Sequence, residues 1–129
     1  MMAQAGCCYV YIGFESINSN VLKNYDKRQS VEQMEFAIRE FHKRHIRIHG
    51  MFIFGGDLDT SMTFRETVRF ARSYHLESAQ FMILTPLPGT PVFDEMDRQG
   101  RLLSRDWSLY DCHHVVFKPK NMSTFELQV

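Results

Sequence analysis

Three short segments carry most of the side chains in this sequence that are suited to binding or catalysis. In the first of them, residues 13–16, Glu15 and Ser16 follow directly after an apolar stretch. A carboxylate at this point can accept two hydroxyls of a sugar or bind an ammonium group, and the serine hydroxyl adds a donor. The alternative is that Glu15 caps the next helix or is solvated. The pair is therefore a candidate ligand contact, with a helix cap as the competing interpretation.

The second segment runs from Gly55 to Thr60 and joins two glycines to two carboxylates. Its glycines would let the flat face of a ligand approach the backbone closely. Asp57 and Asp59 are potential ligands of a divalent cation, although two carboxylates are a weak metal signal. The segment matches neither the G-x-G-x-x-G fingerprint nor a P-loop, which disfavours a phosphate site. Equally, Asp59 or Thr60 could cap the helix that follows.

The third segment, residues 85–91, contains three prolines and a glycine, and Thr85 and Pro88 lie in its first half. Such a segment is stiff and keeps its shape before any ligand arrives, which suits the wall of a pocket. As a turn it needs no function, so both interpretations stay open.

The histidines offer a rival site. His42 and His45 lie three residues apart on a predicted helix, with His49 nearby, and two histidines on one face plus a third ligand can hold zinc. The basic neighbours Lys43 and Arg44 disfavour a bound cation, and the H-E-x-x-H pattern is absent from the sequence. We therefore expect these histidines to lie at the surface.

The three cysteines, Cys7, Cys8 and Cys112, form an odd set without C-x-x-C spacing. Adjacent residues of a strand point to opposite faces, so Cys7 and Cys8 are poorly placed to chelate one metal ion. We expect buried, reduced thiols and no disulfide scaffold.

Each of the three segments follows an apolar, strand-like stretch, and helical patterns separate these stretches. Strands are predicted at about residues 8–13, 47–54 and 79–84, and the second of them, apolar throughout its second half, is expected to be covered on both faces. Helices are predicted from apolar spacing and caps at about 18–24 (cap Asn18), 31–44 (Ser30), 63–75 (Thr63) and 91–100 (Thr90), followed by a short strand at 114–117 and a last helix capped by Ser123.

Strands joined by helical crossovers run parallel and end at one edge of the sheet, where α/β proteins bind ligands. The sequence therefore predicts an α/β protein with all three segments at that edge.

Length and charge narrow the class of protein. The chain has 129 residues, enough for one domain with a core. Fifteen basic residues balance fifteen acidic ones, which argues against nucleic acid or an anionic membrane as the partner. The apolar runs are far shorter than the roughly 20 residues of a bilayer span, and the N-terminus has no signal-peptide pattern. We expect a cytoplasmic protein without a membrane span that does not bind nucleic acid.

Three parallel strands are too few to close a barrel, and their two apolar edges need a partner. An unpaired strand edge presents free N–H and C=O groups to any other chain. Either the ends of this chain cover those edges, or the chain pairs with another polypeptide.

In their order and spacing, these motifs resemble the C-terminal half of the catalytic barrel of radical S-adenosylmethionine (SAM) enzymes. Within that superfamily the sequence is most similar to the group with a cobalamin-binding N-terminal domain, which includes hopanoid methylases and bacteriochlorophyll cyclases. The motifs that carry the resemblance span nearly the whole chain: residues 5–16, 21–23 with Lys27, 50–55 through 59–60, 84–91, Trp107, 110–111, 114–117 and 122–123.

The resemblance implies a fold and a chemistry. Residues 1–100 would be half of a partial (β/α) barrel, about three parallel strands with crossover helices, and residues 101–129 would begin a short C-terminal extension. The residues that it places around SAM and a small-molecule substrate are Glu15 and Ser16 by the ribose or methionine part, Phe54 and Gly55 by the adenine, and Thr85 and Pro88 in the wall beside adenosine and substrate. Enzymes of this family reduce the sulfonium of SAM with a [4Fe–4S] cluster, and the resulting 5′-deoxyadenosyl radical abstracts hydrogen or starts methyl transfer.

The sequence departs from the family at the cluster. The C-x-x-x-C-x-x-C run whose three thiolates hold the cluster is absent from it, and Cys8 falls where the family often has a cysteine of structural role in the strand. We therefore expect a fragment of such an enzyme with no catalytic or metal-ligating residue of its own. SAM, the cluster and cobalamin would not bind stably to this chain alone, and activity would need the missing first half of the barrel. The alternative is a self-standing α/β binding or assembly module that associates through its open strand edges and has lost the radical chemistry.

Overall fold

The structure, a computed structural model, describes residues 1–25 and 27–128. Strands β1 (Tyr9–Glu15), β2 (Arg47–Phe54) and β3 (Ser78–Ile83) form one parallel sheet in the order β1-β2-β3. Between β1 and β2 lie helices α1 (Ser19–Asn24) and α2 (Val31–His42), and α3 (Ser61–Ser73) connects β2 to β3; α4 (Pro91–Arg98) and α5 (Thr124–Gln128) follow, with 3₁₀ turns at Ala3–Ala5 and Trp107–Leu109. The predicted α/β class and parallel strands are confirmed.

Local capping explains where the helices begin. The Ser30 hydroxyl accepts a hydrogen bond from the Gln33 backbone N–H, and the Gln33 side chain accepts one from the Ser30 N–H, which is the predicted capping box. Asn18 caps α1, and Thr90 caps α4 with a proline at the first helical position. These three predicted helix starts are confirmed.

Two local predictions are wrong. Helix α3 is capped by Thr60 rather than by Thr63, which instead accepts a hydrogen bond from the Thr60 N–H at 3.0 Å. A threonine in a capping motif can occupy either end of the box, so the pattern alone does not give the register. Residues 114–117 form no strand; Phe117 makes only an isolated antiparallel bridge with Leu102.

Both crossover helices cover the same face of the sheet. Phe14 of β1 and Phe52 of β2 pack with Ile38 of α2 and Phe70 of α3 in one buried cluster. The three strands follow one another in sequential order and form an open sheet.

The opposite face of the sheet, called here the open face, is not covered by a second layer within residues 1–25 and 27–128. The prediction that β2 is covered on both faces is therefore wrong: Phe52 and Phe54 are buried, whereas His49, Met51 and Ile53 are only half-buried. The hydrophobic composition of β2 indicated a strand buried on both faces, but burial of the second face requires another part of a polypeptide to pack against it.

The C-terminal extension packs on the helix-covered side near the ends of the strands. Phe54 of β2, Met96 of α4, Phe117 and Leu127 of α5 form a second buried cluster. None of the helices within the described ranges is long and apolar enough to cross a bilayer.

The cysteines are less buried than expected. All three are free, but Cys8 is exposed and Cys7 and Cys112 are half-buried. The prediction of buried thiols is wrong for Cys8 because it precedes β1, which is an edge strand of the sheet that the described residues form.

Candidate functional site

The carboxyl ends of the three strands bring the three predicted segments to one edge of the sheet. The Leu84 N–H donates to the Phe54 C=O at 2.8 Å, so β2 and β3 stay paired up to their last residues. At the other side of β2, the register shifts between Gly13 and Glu15, which opposes Phe52. This edge is where a parallel sheet can bind a ligand.

Glu15 is held on the open face at the end of β1. Its backbone has a φ of 61°, and its carboxylate folds back over Gly13, where a Cβ would lie 2.6 Å from Oε1. The Gln29 side-chain amide donates to the Gly13 and Phe14 carbonyls at 3.3 and 3.2 Å and so supports the shifted backbone. Glycine at position 13 leaves room for the carboxylate in this position, because a side chain there would push it aside.

Lys27 is the partner of Glu15. The Lys27 Nζ lies 2.9 Å from the Glu15 Oε1, and the side chains are 39% and 17% exposed. The two charges therefore sit together beside the open face, in reach of solvent. Such a pair can offer its carboxylate to an ammonium group or hydroxyls and its ammonium to an anion.

Ser16 is turned away from this face. It is 3% exposed, and its hydroxyl oxygen accepts a hydrogen bond from the Asn18 N–H at 3.1 Å. In this conformation Ser16 stabilises the turn that leads into α1.

Asp59 organises the loop after β2 from within. It is fully buried, and its Oδ2 accepts hydrogen bonds from the Gly55 and Gly56 N–H groups at 3.0 and 2.9 Å. Burial raises the pKa of Asp59 although the two backbone hydrogen bonds lower it. Of the two residues proposed as the cap of α3, Thr60 has that role and Asp59 folds the loop.

Asp57 points to the C-terminal extension. Its carboxylate binds the Arg101 guanidinium at 2.8 Å and the Lys120 ammonium at 2.5 Å, and its carbonyl accepts a hydrogen bond from the Asn121 amide. Partial burial opposes the effect, but the hydrogen bonds from Arg101 and Lys120 lower the pKa of Asp57. Asp57 is thus held by two basic side chains, while the Oδ1 of Asp59 is buried without a hydrogen-bond partner among the described residues. Residues 1–25 and 27–128 contain no cluster of three His, Cys, Asp or Glu that could hold a metal ion.

The Phe54 ring lies in the core, and the extension covers Gly55. The ring packs edge-to-face on Phe64 at 4.8 Å and stacks on Phe81 at 5.6 Å, on the side of the helices. Gly55 has a φ of 101°, and a Cβ there would lie 2.9 Å from Leu127 and 3.0 Å from Phe117. Only the backbone groups of Phe54 and Gly55 therefore lie at the edge of the sheet.

The third segment is a compact turn. The Thr85 hydroxyl donates to the Ile83 carbonyl at 3.1 Å, Pro86 is buried, and Pro88 is exposed. The Thr90 hydroxyl donates to the Leu87 carbonyl at 2.7 Å, which closes the segment onto α4. These contacts hold the segment in a compact turn, and its role as the wall of a pocket stays a prediction.

Tyr25 was missed by sequence reasoning. Its hydroxyl is buried, has no hydrogen-bond partner among the described residues, and would lie 2.8 Å from a Cβ at Gly56. Burial and the charges of Asp59, Asp57 and Glu15 raise its pKa. A tyrosine after a short helix has no recognisable motif, so only the fold reveals that it lies between the first two segments.

The histidines do not form a site. His42 lies 3.4 Å from Glu77, whereas His49 contacts Ser78 through Nδ1 at 2.7 Å and His45 is exposed. His42 and His49 are half-buried, so the prediction of surface histidines holds only for His45.

Comparison with known proteins identifies relatives that are much longer than this chain. No family model matches it. It is 38% identical to the bacteriochlorophyllide d C-12(1)-methyltransferase of Chlorobaculum tepidum over 95% of this chain and 26% of that protein. It is 31% identical to the anaerobic magnesium-protoporphyrin IX monomethyl ester cyclase of Cereibacter sphaeroides over 96% of this chain and 20% of that protein.

A solved structure has the same fold. The radical SAM methyltransferase TsrM from Kitasatospora setae, with cobalamin and a [4Fe–4S] cluster bound, superposes with a TM-score of 0.67 at 25% identity, over 76% of this chain and 20% of TsrM. The chain thus spans between a fifth and about a quarter of the length of these relatives. The similarity that the motifs predicted is confirmed over that length.

Proposed function

We propose that the homology of this chain to B12-binding radical SAM methyltransferases and cyclases extends to function, and that the chain supplies three strands and part of the SAM-binding rim of such an enzyme. The observation that carries the proposal is the 38% identity to a methyltransferase over 95% of the chain, which includes all three segments at the carboxyl edge. In this role the chain acts together with polypeptide that holds the cluster. The substrate is a small molecule.

The Glu15–Lys27 pair is the group best suited to contact SAM. The methionine part of SAM carries an ammonium and a carboxylate, and a carboxylate–ammonium pair 2.9 Å apart is complementary to both. We place Glu15 on the ammonium or ribose hydroxyls and Lys27 on the carboxylate. Ser16 would contribute a hydroxyl only after release from the Asn18 N–H.

The adenine and substrate would lie further along the same edge. The backbone of Phe54 and Gly55 would border the adenine, and the wall with Thr85 and Pro88 would border adenosine and substrate. The buried, unpartnered Tyr25 hydroxyl supports a polar ligand at this edge, because such groups in folded proteins have a partner.

The open face supports placement of these strands as the fourth to sixth of a six-stranded barrel. Helices on one face leave the other as the interior of a barrel, and it holds mixed polar and apolar side chains such as Tyr11, His49 and Gln80. The outer edge of β1 would pair with the strand that precedes it in the barrel. The missing first half of the barrel is thus the expected partner.

A [4Fe–4S] cluster does not fit the cysteines of this chain. Cys7 and Cys8 precede β1 at the amino edge of the sheet, while the Cys112 carbonyl bonds to the Ile83 N–H at the end of β3. The cluster and the electron it delivers would therefore come from the other part of the enzyme, as would cobalamin.

A chimera tests the proposal. We would replace the matching segment of the Chlorobaculum tepidum methyltransferase with this chain, reconstitute the cluster, and measure SAM cleavage. Cleavage should persist, and Glu15→Gln or Lys27→Gln should lower it about tenfold, the loss of one charge-assisted hydrogen bond. Phe36→Ala, at a residue 62% exposed on α2, is the matched control. A chimera that holds its cluster but is unaffected by either substitution would contradict the assignment.

A second candidate is a self-standing binding or assembly module. It is favoured by the open outer edge of β1 and by Tyr11, which is 70% exposed on the open face. Light scattering after size-exclusion chromatography tests it: a dimer that Val10→Pro dissociates would support association through β1. A monomer at all concentrations would contradict it.

A further inference from the structure

An apolar groove runs along the helix-covered side of β3. Its floor is formed by Ala79, Phe81 and Ile83, and one wall by the side of α3 that carries Phe64 and Val68. At the Ile83 end the C-terminal extension forms a second wall, which includes Glu126 and Leu127. Two adjoining cavities of 540 and 390 Å³ share Val68 and Phe81 and make the groove continuous. We call this the α3–β3 groove.

The groove exists because the element after β3 packs elsewhere. Helix α2 covers β1 and β2, and α3 covers β2, but α4 buries Met96 against Phe54 and Phe117, and of β3 this cluster includes only the last residue, Ile83. Phe81 is therefore 41% exposed and Val68 43% exposed, although both are large apolar side chains on the helix-covered side of the sheet. The outer half of β3 lacks the helix that a regular βα repeat would place on it.

A basic row borders this groove. Arg65, Arg69 and Arg72 are exposed and recur at intervals of four and three residues, on one side of α3, next to Val68. None of their guanidinium groups lies within ion-pair distance of a carboxylate among the described residues, whereas Arg39 on α2 and Arg44 just after α2 are each paired with a glutamate. The row is thus a stretch of excess positive charge beside an apolar floor, and Glu126, which lines a cavity together with Arg65, offsets it at one end.

We infer that the α3–β3 groove binds an amphipathic helix with an acidic flank. The floor from Ala79 to Ile83 is about 13 Å long at 3.3 Å per residue, and the wall from Phe64 to Arg72 is about 12 Å. A helix of about three turns covers both. Its apolar stripe contacts Phe81 and Val68, and its Asp or Glu side chains lie opposite the arginine row.

Shape and charge select a helix over flat anionic partners. The apolar floor is recessed beside α3, and the positive charge lies along the α3 wall only. A phosphate backbone or a lipid surface bound to the arginines would therefore leave Phe81 exposed to water. The balanced charge of the whole chain adds no general attraction for either. This surface faces away from the open face, and the inference stands independently of the SAM site.

The test is a selection followed by a charge swap. Helical peptides of about 18 residues, with a constant apolar stripe and randomised flanks, are selected by display on the full chain. We expect enrichment of Asp and Glu in one flank. A selected peptide should lose about tenfold in affinity on Arg69→Glu plus Arg72→Glu, measured by fluorescence anisotropy, and its Glu-to-Lys counterpart should gain affinity for that variant.

Controls separate the groove from general effects. Arg28→Glu, at an exposed arginine outside the groove, should leave the affinity unchanged, and Phe81→Ser should weaken all selected peptides. Far-UV circular dichroism checks that each variant is folded. The inference is overturned if selection yields no binder, if the flanks show no acidic preference, or if the charge swap does not reverse it. Binding of phosphatidylserine vesicles or single-stranded DNA that the double variant abolishes would also overturn it.

Discussion

The carboxylate of Asp57 and the guanidinium of Arg101, 44 residues apart in the chain, are joined by a hydrogen bond of 2.8 Å. The Arg101 side chain is only 11% exposed, and its Nε also donates to the Lys118 carbonyl at 2.8 Å. This contact fastens the C-terminal extension to the loop after β2. Asp57, which was considered from the sequence as a possible cation ligand, therefore connects the loop after β2 to the extension.

Asp57→Asn should lower the free energy of unfolding by about 1–2 kcal/mol, because it leaves the mostly buried Arg101 guanidinium without a carboxylate. Urea denaturation measures the change. Glu95→Gln, which breaks an exposed pair with Arg98, should cost less than about 0.5 kcal/mol. Equal losses of unfolding free energy in the two variants would show that the Asp57–Arg101 pair stabilises the fold no more than an exposed ion pair does.

Gly55→Ala should destabilise the chain more than Gly89→Ala. Both glycines have positive φ, 101° and 82°, but a Cβ at Gly55 meets Leu127 and Phe117, whereas nothing lies within 4 Å of a Cβ at Gly89. We expect a loss of about 2–4 kcal/mol at Gly55 and about 1 kcal/mol at Gly89. Thermal or urea unfolding of the two variants decides this, and a loss at Gly89 as large as that at Gly55 would contradict the packing of the extension on the loop.

The buried carboxyl of Asp59 should make stability depend on pH. Burial raises its folded-state pKa above the unfolded value of 3.8, so the folded chain binds the proton more tightly. The stabilisation is complete below the unfolded pKa and is lost as pH rises through the folded pKa. Asp59→Asn keeps an oxygen acceptor for the two glycine N–H groups and removes the titration.

Urea unfolding of wild type and Asp59→Asn from about pH 3 to about pH 7 isolates this contribution. The stability of wild type relative to the variant should fall as pH rises across that window. Glu66→Gln, on the exposed side of α3, is the matched control and should change little. A difference between wild type and Asp59→Asn that rises with pH would contradict the raised pKa.

Reconstitution of this chain with iron and sulfide should yield no [4Fe–4S] cluster. Cys7 and Cys8 are adjacent and Cys112 lies in the extension, so the spacing for three thiolates on one cluster is lacking. Iron content and visible absorbance should match those of a variant with all three cysteines changed to serine. A stable cluster with SAM cleavage by this chain alone would contradict the proposal that another part of the enzyme holds the cluster.

Some features followed from the sequence because their causes are local. Apolar spacing gave the strands and helices to within a few residues, and short-range hydrogen bonding gave the caps at Asn18, Ser30 and Thr90. Helical crossovers between strands imposed a parallel sheet, so the common edge of the three segments followed as well. The motifs in their order also revealed the homology that comparison confirms.

What only the tertiary structure decided depends on contacts between residues far apart in the chain. The fold turned the Phe54 ring to the helix side, brought Tyr25 beside Gly56, and paired Asp57 with Arg101. No pattern in the sequence encodes such pairings, because each arises from the packing of the extension and α1 against the sheet. The sequence alone thus determined that the three segments share one edge of the sheet, and the folded chain determined which of their side chains remain exposed at that edge.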